Sequence, residues 1–363
     1  MLSAFHLKNY KGFRDVAVSG LRRLNLVGGR NSVGKSSLLE ALFLFFDRRN
    51  PGVLMRHFEW RGLPAVPGFP ELLWGASFYD WDLTREIEIS VTEQPDAVPE
   101  TLTLAVLKDF RPPRAPIPSS VSAGTGSPEM IRTDLPTPPR TALRMSFSAG
   151  APSREEWFQW LGPNGLESHG EPPTHTGKPV FYVNGRGRFS PQEEAQRLAT
   201  LDVRRAITPV VKSLQCIEPS LEGLSLALVG LVPQIFADLQ GSRAKVPVNL
   251  IGDGTGRLLS ILLAMAATPR GVVLIDEIEN GIHYSAFPAF WRAIASAAVE
   301  NECQVIATTH SYECLRGAFK GLEAEFTQSF SYLRLDREKK DVSATTYPDE
   351  VLVSALEQGV EVR

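Results

Sequence analysis

Residues 29–36, Gly-Arg-Asn-Ser-Val-Gly-Lys-Ser, constrain the fold of this chain more than any other segment. They match the phosphate-binding loop pattern G-x-x-x-x-G-K-[ST] at every fixed position. Residues 24–27 before the loop form an apolar run typical of a buried strand, and residues 37–43 after it have the pattern of a helix. A strand, this loop and a helix in that order predict an α/β fold that binds a nucleoside triphosphate at the helix N-terminus.

The loop itself supplies the candidate ligands of the phosphates. Its two glycines allow backbone N–H groups to turn inward around a β-phosphate, while Lys35 can reach the β- and γ-phosphates and Ser36 can hold Mg²⁺. The residues of this segment that we expect to contact the nucleotide and its metal ion are Gly29, Arg30, Asn31, Ser32, Gly34, Lys35, Ser36 and Ser37.

A second pattern, Val-Val-Leu-Ile-Asp-Glu at 272–277, has four apolar residues followed by two carboxylates. A buried strand that ends in Asp276 can present this carboxylate to Mg²⁺. The adjacent Glu277 can orient and deprotonate a water molecule in line with the γ-phosphate. Alone, the pattern fits a strand that ends at a polar turn equally well, but beside a phosphate-binding loop it predicts a metal ligand and a general base.

Two further segments are candidates for the same site. The apolar run 304–308 is followed by Thr309 and His310, and His310 could contact the γ-phosphate from the same edge of the sheet. The glycine-rich segment 251–257 opens an apolar helix and could present N–H groups to a phosphate held by another copy. By its local sequence it also fits a simple turn at a helix start. Its candidate residues are Gly252, Asp253, Gly254, Gly256 and Arg257.

The composition excludes several classes of protein. A net charge of −3 gives no overall attraction to nucleic acid or to an anionic membrane. The chain contains no run of about 18 apolar residues, and its first eight residues resemble a strand more than a signal peptide. Cys216, Cys303 and Cys314 lack metal-ligand or redox spacing, so we expect buried, reduced thiols. These features predict a cytoplasmic protein without a membrane span.

Residues 95–180 differ in composition from the rest and hold 15 of the 27 prolines. We expect loops and short strands there, without central strands or long helices, and a short helix at 155–161. Residues 190–216 have a helical pattern that begins with an N-cap at Ser190. Strand and helix patterns then alternate from 246 to 320, which predicts a parallel sheet.

The order of these motifs resembles that of the ATP-binding-cassette (ABC) ATPases. Asp276 follows Gly256 by 20 residues and His310 follows Asp276 by 34, and both gaps are similar to those of that superfamily. Lys35 precedes Asp276 by 241 residues, a gap that resembles the heads of RecF-like and structural-maintenance-of-chromosomes (SMC) proteins, which carry large insertions.

Four details are most similar to the overcoming-lysogenization-defect (OLD) ATPases, the AAA-15/AAA-21 type of bacteria, several of which act in anti-phage systems. These details are Gly-Arg-Asn at 29–31, Leu-Ile-Gly-Asp-Gly at 250–254, Asp-Glu-Ile-Glu-Asn-Gly-Ile-His at 276–283 and Thr-Thr-His-Ser at 308–311. The resemblance covers about 1–46 and 180–363 and leaves out the proline-rich part.

The resemblance implies a P-loop NTPase of ABC-ATPase type, an α/β fold in which helices flank a mixed sheet and a proline-rich and helical region is inserted. The expected divisions are an N-terminal lobe of the ATPase head at 1–94, a proline-rich insertion at 95–180, a helical and strand insertion at 181–245, and a C-terminal lobe of the head at 246–363.

The resemblance also implies roles and partners. ATP and Mg²⁺ would be the cofactors, Glu277, His310 and Lys35 the catalytic residues, and Ser36 and Asp276 the metal ligands. Residues 252–257 would press on the ATP of a second copy, so that ATP joins heads into a homodimer or higher oligomer and hydrolysis releases them. The implied function is an ATPase that regulates a separately encoded effector, a nuclease being the favoured class, in bacterial anti-phage defence.

The sequence departs from the family pattern in three ways. Residues 252–256 lack the Leu-Ser-Gly-Gly form of transporters, and no glutamine-loop residue can be assigned. Only 53 residues follow His310, too few for the Toprim domain of OLD nucleases, so we expect none in this chain. The alternative function is a RecF-like DNA-repair ATPase. Its candidate DNA contacts are Arg186, Arg188, Arg204 and Arg205.

Overall fold

The computed structural model describes residues 1–63, 69–113, 138–150, 155–162, 165–170, 177–185, 190–322, 326–359 and 362, with the backbone alone at 70, 326 and 327. The strands, in chain order, are β1 (Ala4–Tyr10), β2 (Phe13–Ser19), β3 (Leu24–Gly29), β4 (Ile87–Thr92), β5 (Glu100–Phe110), β6 (Arg140–Ser148), β7 (Glu155–Gly162), β8 (Gly165–His169), β9 (Val180–Val183), β10 (Leu221–Val229), β11 (Val232–Leu239), β12 (Val246–Pro247), β13 (Val272–Ile275), β14 (Gln304–Thr308), β15 (Phe330–Glu338) and β16 (Asp341–Thr346).

The α-helices are α1 (Lys35–Phe46), α2 (Val53–Trp60), α3 (Pro70–Gly75), α4 (Pro191–Val203), α5 (Ile207–Leu214), α6 (Asp253–Ala267), α7 (Phe287–Glu300), α8 (Tyr312–Leu322), α9 (Phe326–Ser329) and α10 (Asp349–Glu357). Short 3₁₀ turns lie at Tyr79–Trp81, Val248–Leu250 and Tyr284–Ala286.

A six-stranded sheet positions the predicted site. Its strand order is β16-β15-β3-β14-β13-β9, and all neighbours are parallel except the β15–β16 hairpin. Every residue of β3, β13 and β14 is buried, because helices or a second sheet cover both faces. The carboxyl ends of these three strands meet at one edge, where parallel α/β sheets bind their ligands. The structure thus confirms the predicted mixed sheet flanked by helices.

A second, antiparallel sheet has the order β2-β1-β4-β5-β6-β7-β8. Helix α1 lies between the two sheets, and nine consecutive residues from Leu38 to Phe46 are buried. A helix that is buried on all sides needs apolar residues all round, which explains the run Leu-Leu-Glu-Ala-Leu-Phe-Leu-Phe-Phe. Glu40 is the one charged residue in that run.

The opposite face of the six-stranded sheet packs against α4 to α8 and a three-stranded sheet, β10-β11-β12. Ser190 accepts a hydrogen bond from the N–H of Glu193 (3.2 Å) and caps α4 as predicted. Helix α6 begins at Asp253, within the predicted glycine-rich segment, and buries ten residues.

The prediction for residues 95–180 was wrong in two respects. Strands β5 and β6 are central in the antiparallel sheet, and residues 155–161 belong to strand β7 rather than to a helix. The prolines of this stretch lie between these strands, and none lies within them, so the average composition concealed continuous strand segments. Pairing of β7 with β6 and β8 decided the conformation of a segment too short to show a clear period. The domain limits stay a prediction.

The three cysteines do not share one environment. Cys303 and Cys314 are buried, and burial raises the pKa of the Cys303 thiol to about 11. Cys216 is exposed, so the expectation of a buried thiol was wrong at this position. It follows α5, where the chain turns toward β10 at the surface. None of the described helices is both long enough and apolar enough to span a membrane.

Candidate functional site: a phosphate-binding loop beside paired carboxylates

The phosphate-binding loop joins β3 to α1 at the carboxyl edge of the sheet. Gly29 and Gly34 have φ values of 133° and 113°, which side-chain-bearing residues rarely adopt. A Cβ atom on Gly34 would also lie 2.9 Å from Cζ of Phe13. The loop residues Arg30, Asn31 and Ser32 are exposed, while Ser36 and Ser37 are half-buried. The backbone conformation of the loop and its close packing therefore require glycine at these two positions, whether or not a ligand is bound.

The ammonium group of Lys35 lies inside the turn of the loop. Its Nζ donates hydrogen bonds to the carbonyl oxygens of Gly29 (2.7 Å) and Arg30 (3.1 Å). Burial lowers the pKa of Lys35, and the carboxylates of Glu279 and Asp276 oppose that shift. A triphosphate would offer this ammonium group charged acceptors in place of neutral carbonyls.

Asp276 is the point at which three segments of the chain meet. Its Oδ1 accepts hydrogen bonds from Ser36 Oγ (3.0 Å) of α1 and Thr308 Oγ1 (2.7 Å) of β14. Its Oδ2 lies 3.4 Å from the hydroxyl of Tyr182 on β9. Burial, together with the Asp276 charge, raises the pKa of Tyr182, which keeps the phenol a donor. The two predicted metal ligands, Ser36 and Asp276, are therefore in direct contact.

Glu277 leaves the sheet with a φ of 48°, in the left-handed region that a glutamate rarely occupies. Its N–H donates to Thr308 Oγ1 (2.8 Å), and its Oε2 accepts from Asn280 Nδ2 (2.7 Å). Asn280 also donates to the carbonyl oxygen of Gly185 (2.9 Å) and is thereby fixed in place. A strained backbone conformation of this kind persists only when surrounding contacts stabilise it, and such residues are common at functional sites.

His310 lies beyond the end of β14 with about half of its side chain exposed. Its backbone N–H donates to Glu279 Oε1 (2.7 Å), and its Nδ1 lies 3.0 Å from the same oxygen. Glu279 is 7% exposed and was given no role by the sequence patterns. A third carboxylate two residues after Glu277 was the available signal. This carboxylate orients the imidazole through its Nδ1 atom.

The glycine-rich segment starts α6 and divides into two parts. Gly252 and Asp253 are exposed, and Gly254 lies against Gly281, where a Cβ atom would be 3.2 Å from the carbonyl oxygen. Arg257 instead points inward. Its guanidinium donates to the carbonyl oxygens of Asn184 (2.8 Å), Asp276 (2.7 Å) and Glu277 (3.2 Å).

Comparisons with known proteins agree with this geometry. Residues 1–96 match the family model described as "AAA ATPase domain", and residues 180–316 match the one described as "AAA domain, putative AbiEii toxin, Type IV TA system". The two matches contain the phosphate-binding loop and the Asp276–Glu277 pair respectively. The chain is an ABC-type ATPase of the AAA-15/AAA-21 group.

Two curated relatives and one solved structure extend this result. An "ATP/GTP phosphatase" of Helicobacter pylori is 24% identical over 381 residues, with 97% of each chain covered. An uncharacterized protein of Methanocaldococcus jannaschii is 30% identical over 96 residues, 25% of this chain and 41% of that one. An SMC head bound to the C-winged helix domain of ScpA superimposes with a TM-score of 0.51 at 12% identity, covering 96% of this chain and 98% of that chain. This last likeness concerns the fold alone.

Within this ABC-type ATPase, Arg257 has a position that the motif did not predict. We expected the whole segment 252–257 to face a nucleotide of a second copy, but the guanidinium contacts the backbone of its own Asp276–Glu277 turn. Arg257 therefore supports the turn that carries Glu277, and only the exposed start of α6 is available for a contact with another subunit. The contact between subunits stays a prediction.

The structure describes two of the four candidate DNA contacts of the alternative function. Arg204 and Arg205 are exposed just after α4. Arg186 and Arg188 lie outside the described residues. DNA binding stays a prediction, which filter binding at two salt concentrations would test.

Thr308 offers a test of the hydrogen bonds at Asp276. Its hydroxyl both donates to Asp276 and accepts from Glu277, and the residue is completely buried. Thr308→Val keeps the shape but leaves the Glu277 N–H without this acceptor, so we expect a stability loss of about 1–3 kcal/mol and a lower kcat for ATP.

Thr268→Val is the control, because the Thr268 hydroxyl is equally buried and donates to Ala264 within α6, away from the carboxylates. Chemical denaturation and phosphate-release assays on both variants give the comparison. Equal kcat values for the two variants would show that Thr308 does not position the site.

Proposed function

We propose that this ATPase uses Mg²⁺, that ATP joins its heads into a dimer or higher oligomer, and that this assembly regulates a separately encoded effector. We further propose that the effector is a nuclease and that the system acts in bacterial defence against phage. The main supporting observation is that the Asp276 carboxylate contacts the hydroxyl groups of Ser36, Thr308 and Tyr182. The adjacent Glu277 carboxylate is fixed by a hydrogen bond from Asn280.

The donor set fits Mg²⁺. Serine hydroxyl and aspartate carboxylate oxygens are hard ligands, and Mg²⁺ commonly takes one or two protein ligands plus water and phosphate oxygens. Among the described residues, no group of three or more His, Cys, Asp and Glu side chains could form an all-protein metal cage. Ser36 and Asp276 would hold the ion, which when bound with ATP neutralises charge on the β- and γ-phosphates.

The protein groups then have separate tasks. Lys35 exchanges its carbonyl acceptors for phosphate oxygens and balances their charge. Glu277 accepts a proton from the attacking water, and Asn280 fixes the carboxylate that does so. His310, oriented by Glu279, contacts the γ-phosphate. The Helicobacter pylori relative is named an ATP/GTP phosphatase, which supports a nucleoside triphosphate as the substrate.

Assembly is supported by the exposed start of α6. Within the described structure, nothing lies within 4 Å of the place that a Cβ atom would occupy on Gly252. Backbone N–H groups at a helix start bind anions, and α6 is 15 residues long. Residues 252–254 would meet the triphosphate of a second subunit. The regulation of an effector rests on the resemblance to OLD ATPases.

The test of assembly uses the solution mass of the Glu277→Gln variant, which we expect to bind ATP without turning it over. Light scattering should show a monomer without nucleotide and a doubled mass with ATP and Mg²⁺. The additional substitution Gly252→Glu fits within one subunit but places a carboxylate against the partner's phosphates, so the doubled mass should disappear. A monomer under both conditions, or assembly that Gly252→Glu leaves intact, would refute the proposed contact.

A further inference from the structure

Strand β9 forms one edge of the six-stranded sheet, and among the strands that the structure describes it pairs only with β13. Val272 N–H donates to the carbonyl oxygen of Pro179, and Asp276 N–H donates to that of Val183. Since bonding alternates along a parallel ladder, the N–H and C=O groups of Val180 and Tyr182 face the opposite, free edge. Such a row of outward-facing backbone groups is a template for pairing with another extended chain.

A cleft of about 540 Å³ runs along this free edge. Helix α2 forms one wall with Arg56, Glu59 and Trp60, and helix α4 forms the other with Glu193 and Arg197. Its volume lies within the range of specific ligand sites. The helices leave the edge recessed, so a long flat sheet cannot reach it but a single extended segment can.

Aromatic rings fix the floor of the cleft. The indole of Trp60 stacks on the ring of Tyr182 with centroids 3.9 Å apart and planes 11° apart. On the other face of β9, the guanidinium of Arg197 lies 4.6 Å from the ring centroid of Phe181. Stacked rings are rigid, and a bound segment would therefore meet a preformed surface.

We propose that this cleft binds an extended peptide segment of a partner protein, which pairs with β9 as an added strand. The four residues of β9 span about 13 Å, the length of four extended residues. Side chains of an added strand alternate between the two walls, and each wall carries one arginine and one glutamate. The segment that fits carries charges of both signs and is not uniformly acidic or basic.

Two other occupants fit less well. A second copy of β9 would have to leave its own recess between two helices to reach this one. A small nucleotide ligand would leave the outward N–H and C=O groups of β9 without the regular partners that a strand supplies.

The side chain of Tyr182 connects β9 to the proposed catalytic centre. The Tyr182 hydroxyl contacts Asp276, and its ring supports Trp60 in the wall of the cleft. A segment on β9 could therefore alter the proposed metal ligand. This consequence depends on the proposed function, whereas docking itself requires neither ATP nor turnover.

The test uses the full chain without nucleotide and a phage-displayed library of random peptides as the probe. Val180→Pro removes one outward N–H while leaving the bonds to β13, which involve Pro179, Phe181 and Val183. Val180→Ala is the control, because it also removes the side chain but retains the N–H. We expect the best selected peptide to bind wild type and Val180→Ala alike and to bind Val180→Pro about tenfold or more weakly.

Hydrogen exchange gives a second readout that does not depend on a variant. The selected peptide should slow exchange of the Val180 and Tyr182 amides in the wild-type protein. Equal affinity for folded Val180→Pro, no selected peptide that protects these two amides, or protection by ATP alone would each overturn the proposal. Phosphate release is measured separately, so a failure of ATP turnover is not mistaken for a failure of docking.

Discussion

Replacing Glu277 with glutamine is expected to lower the rate of ATP turnover by about a hundredfold or more, the contribution of a positioned general base. Glutamine retains the size and an oxygen that can accept the hydrogen bond from Asn280 Nδ2, but its amide does not take a proton from water. Lys35, Ser36 and Asp276 are unchanged, so ATP should still bind with an affinity close to that of the wild type.

The control is Glu300→Gln, the same chemical change at an exposed position in α7. Phosphate release at saturating ATP gives the rate, and a fluorescent nucleotide titration gives the affinity. If Glu277→Gln hydrolyses ATP at the rate of Glu300→Gln while binding it normally, then Glu277 is not the base.

Replacing Glu40 with alanine is expected to lower the free energy of unfolding by about 3–5 kcal/mol, the cost of breaking a buried ion pair. Glu40 is 1% exposed within α1 and pairs with the Lys11 ammonium group between the two sheets. Its carboxylate also accepts hydrogen bonds from Arg61 Nε (2.9 Å) and Nη2 (3.1 Å). Burial lowers the pKa of Lys11, and Glu40 opposes this shift, so its removal leaves a poorly solvated cation.

Glu88→Ala is the matched control for this effect. Glu88 pairs with Lys8 at 3.2 Å, but both side chains are 38% exposed, so the loss should be about 1 kcal/mol or less. Urea denaturation of the two variants compares a buried with an exposed lysine–glutamate pair. Equal losses would mean that the Glu40 pair contributes no more than a surface pair.

The sequence predicted those parts of the site that consist of contiguous motifs. The phosphate-binding loop and the Asp276–Glu277 pair are each contiguous, and each follows an apolar run typical of a buried parallel strand. The meeting of Ser36 with Asp276 then follows from topology, because the carboxyl ends of parallel strands share one edge.

The parts that could not be predicted depend on contacts between distant segments. Glu279 orients His310 across 31 residues, and Arg257 supports the Asp276 carbonyl across 19. Neither pair has a spacing that periodicity reveals. Glu40 lies in an otherwise apolar helix, and a buried carboxylate needs a cation as its partner. The sequence does not indicate that this cation is Lys11.

The strands of residues 100–169 show a different limit. Their prolines lie in the connections, and a window that averages strands and connections hides the alternation within each strand. In β7, Trp157 and Gln159 face inward as the pairing with β6 requires, yet two alternations in a short segment do not exclude a helix.

We propose that ATP is hydrolysed by two heads joined through the nucleotide, and the most direct test is the turnover per chain measured against protein concentration. Phosphate release at saturating ATP and Mg²⁺ should be followed over roughly three decades of dilution, with light scattering on the same samples. We expect turnover per chain to fall on dilution in step with the loss of dimer. A turnover per chain that stays constant while the protein is monomeric, or no turnover at any concentration, would contradict it.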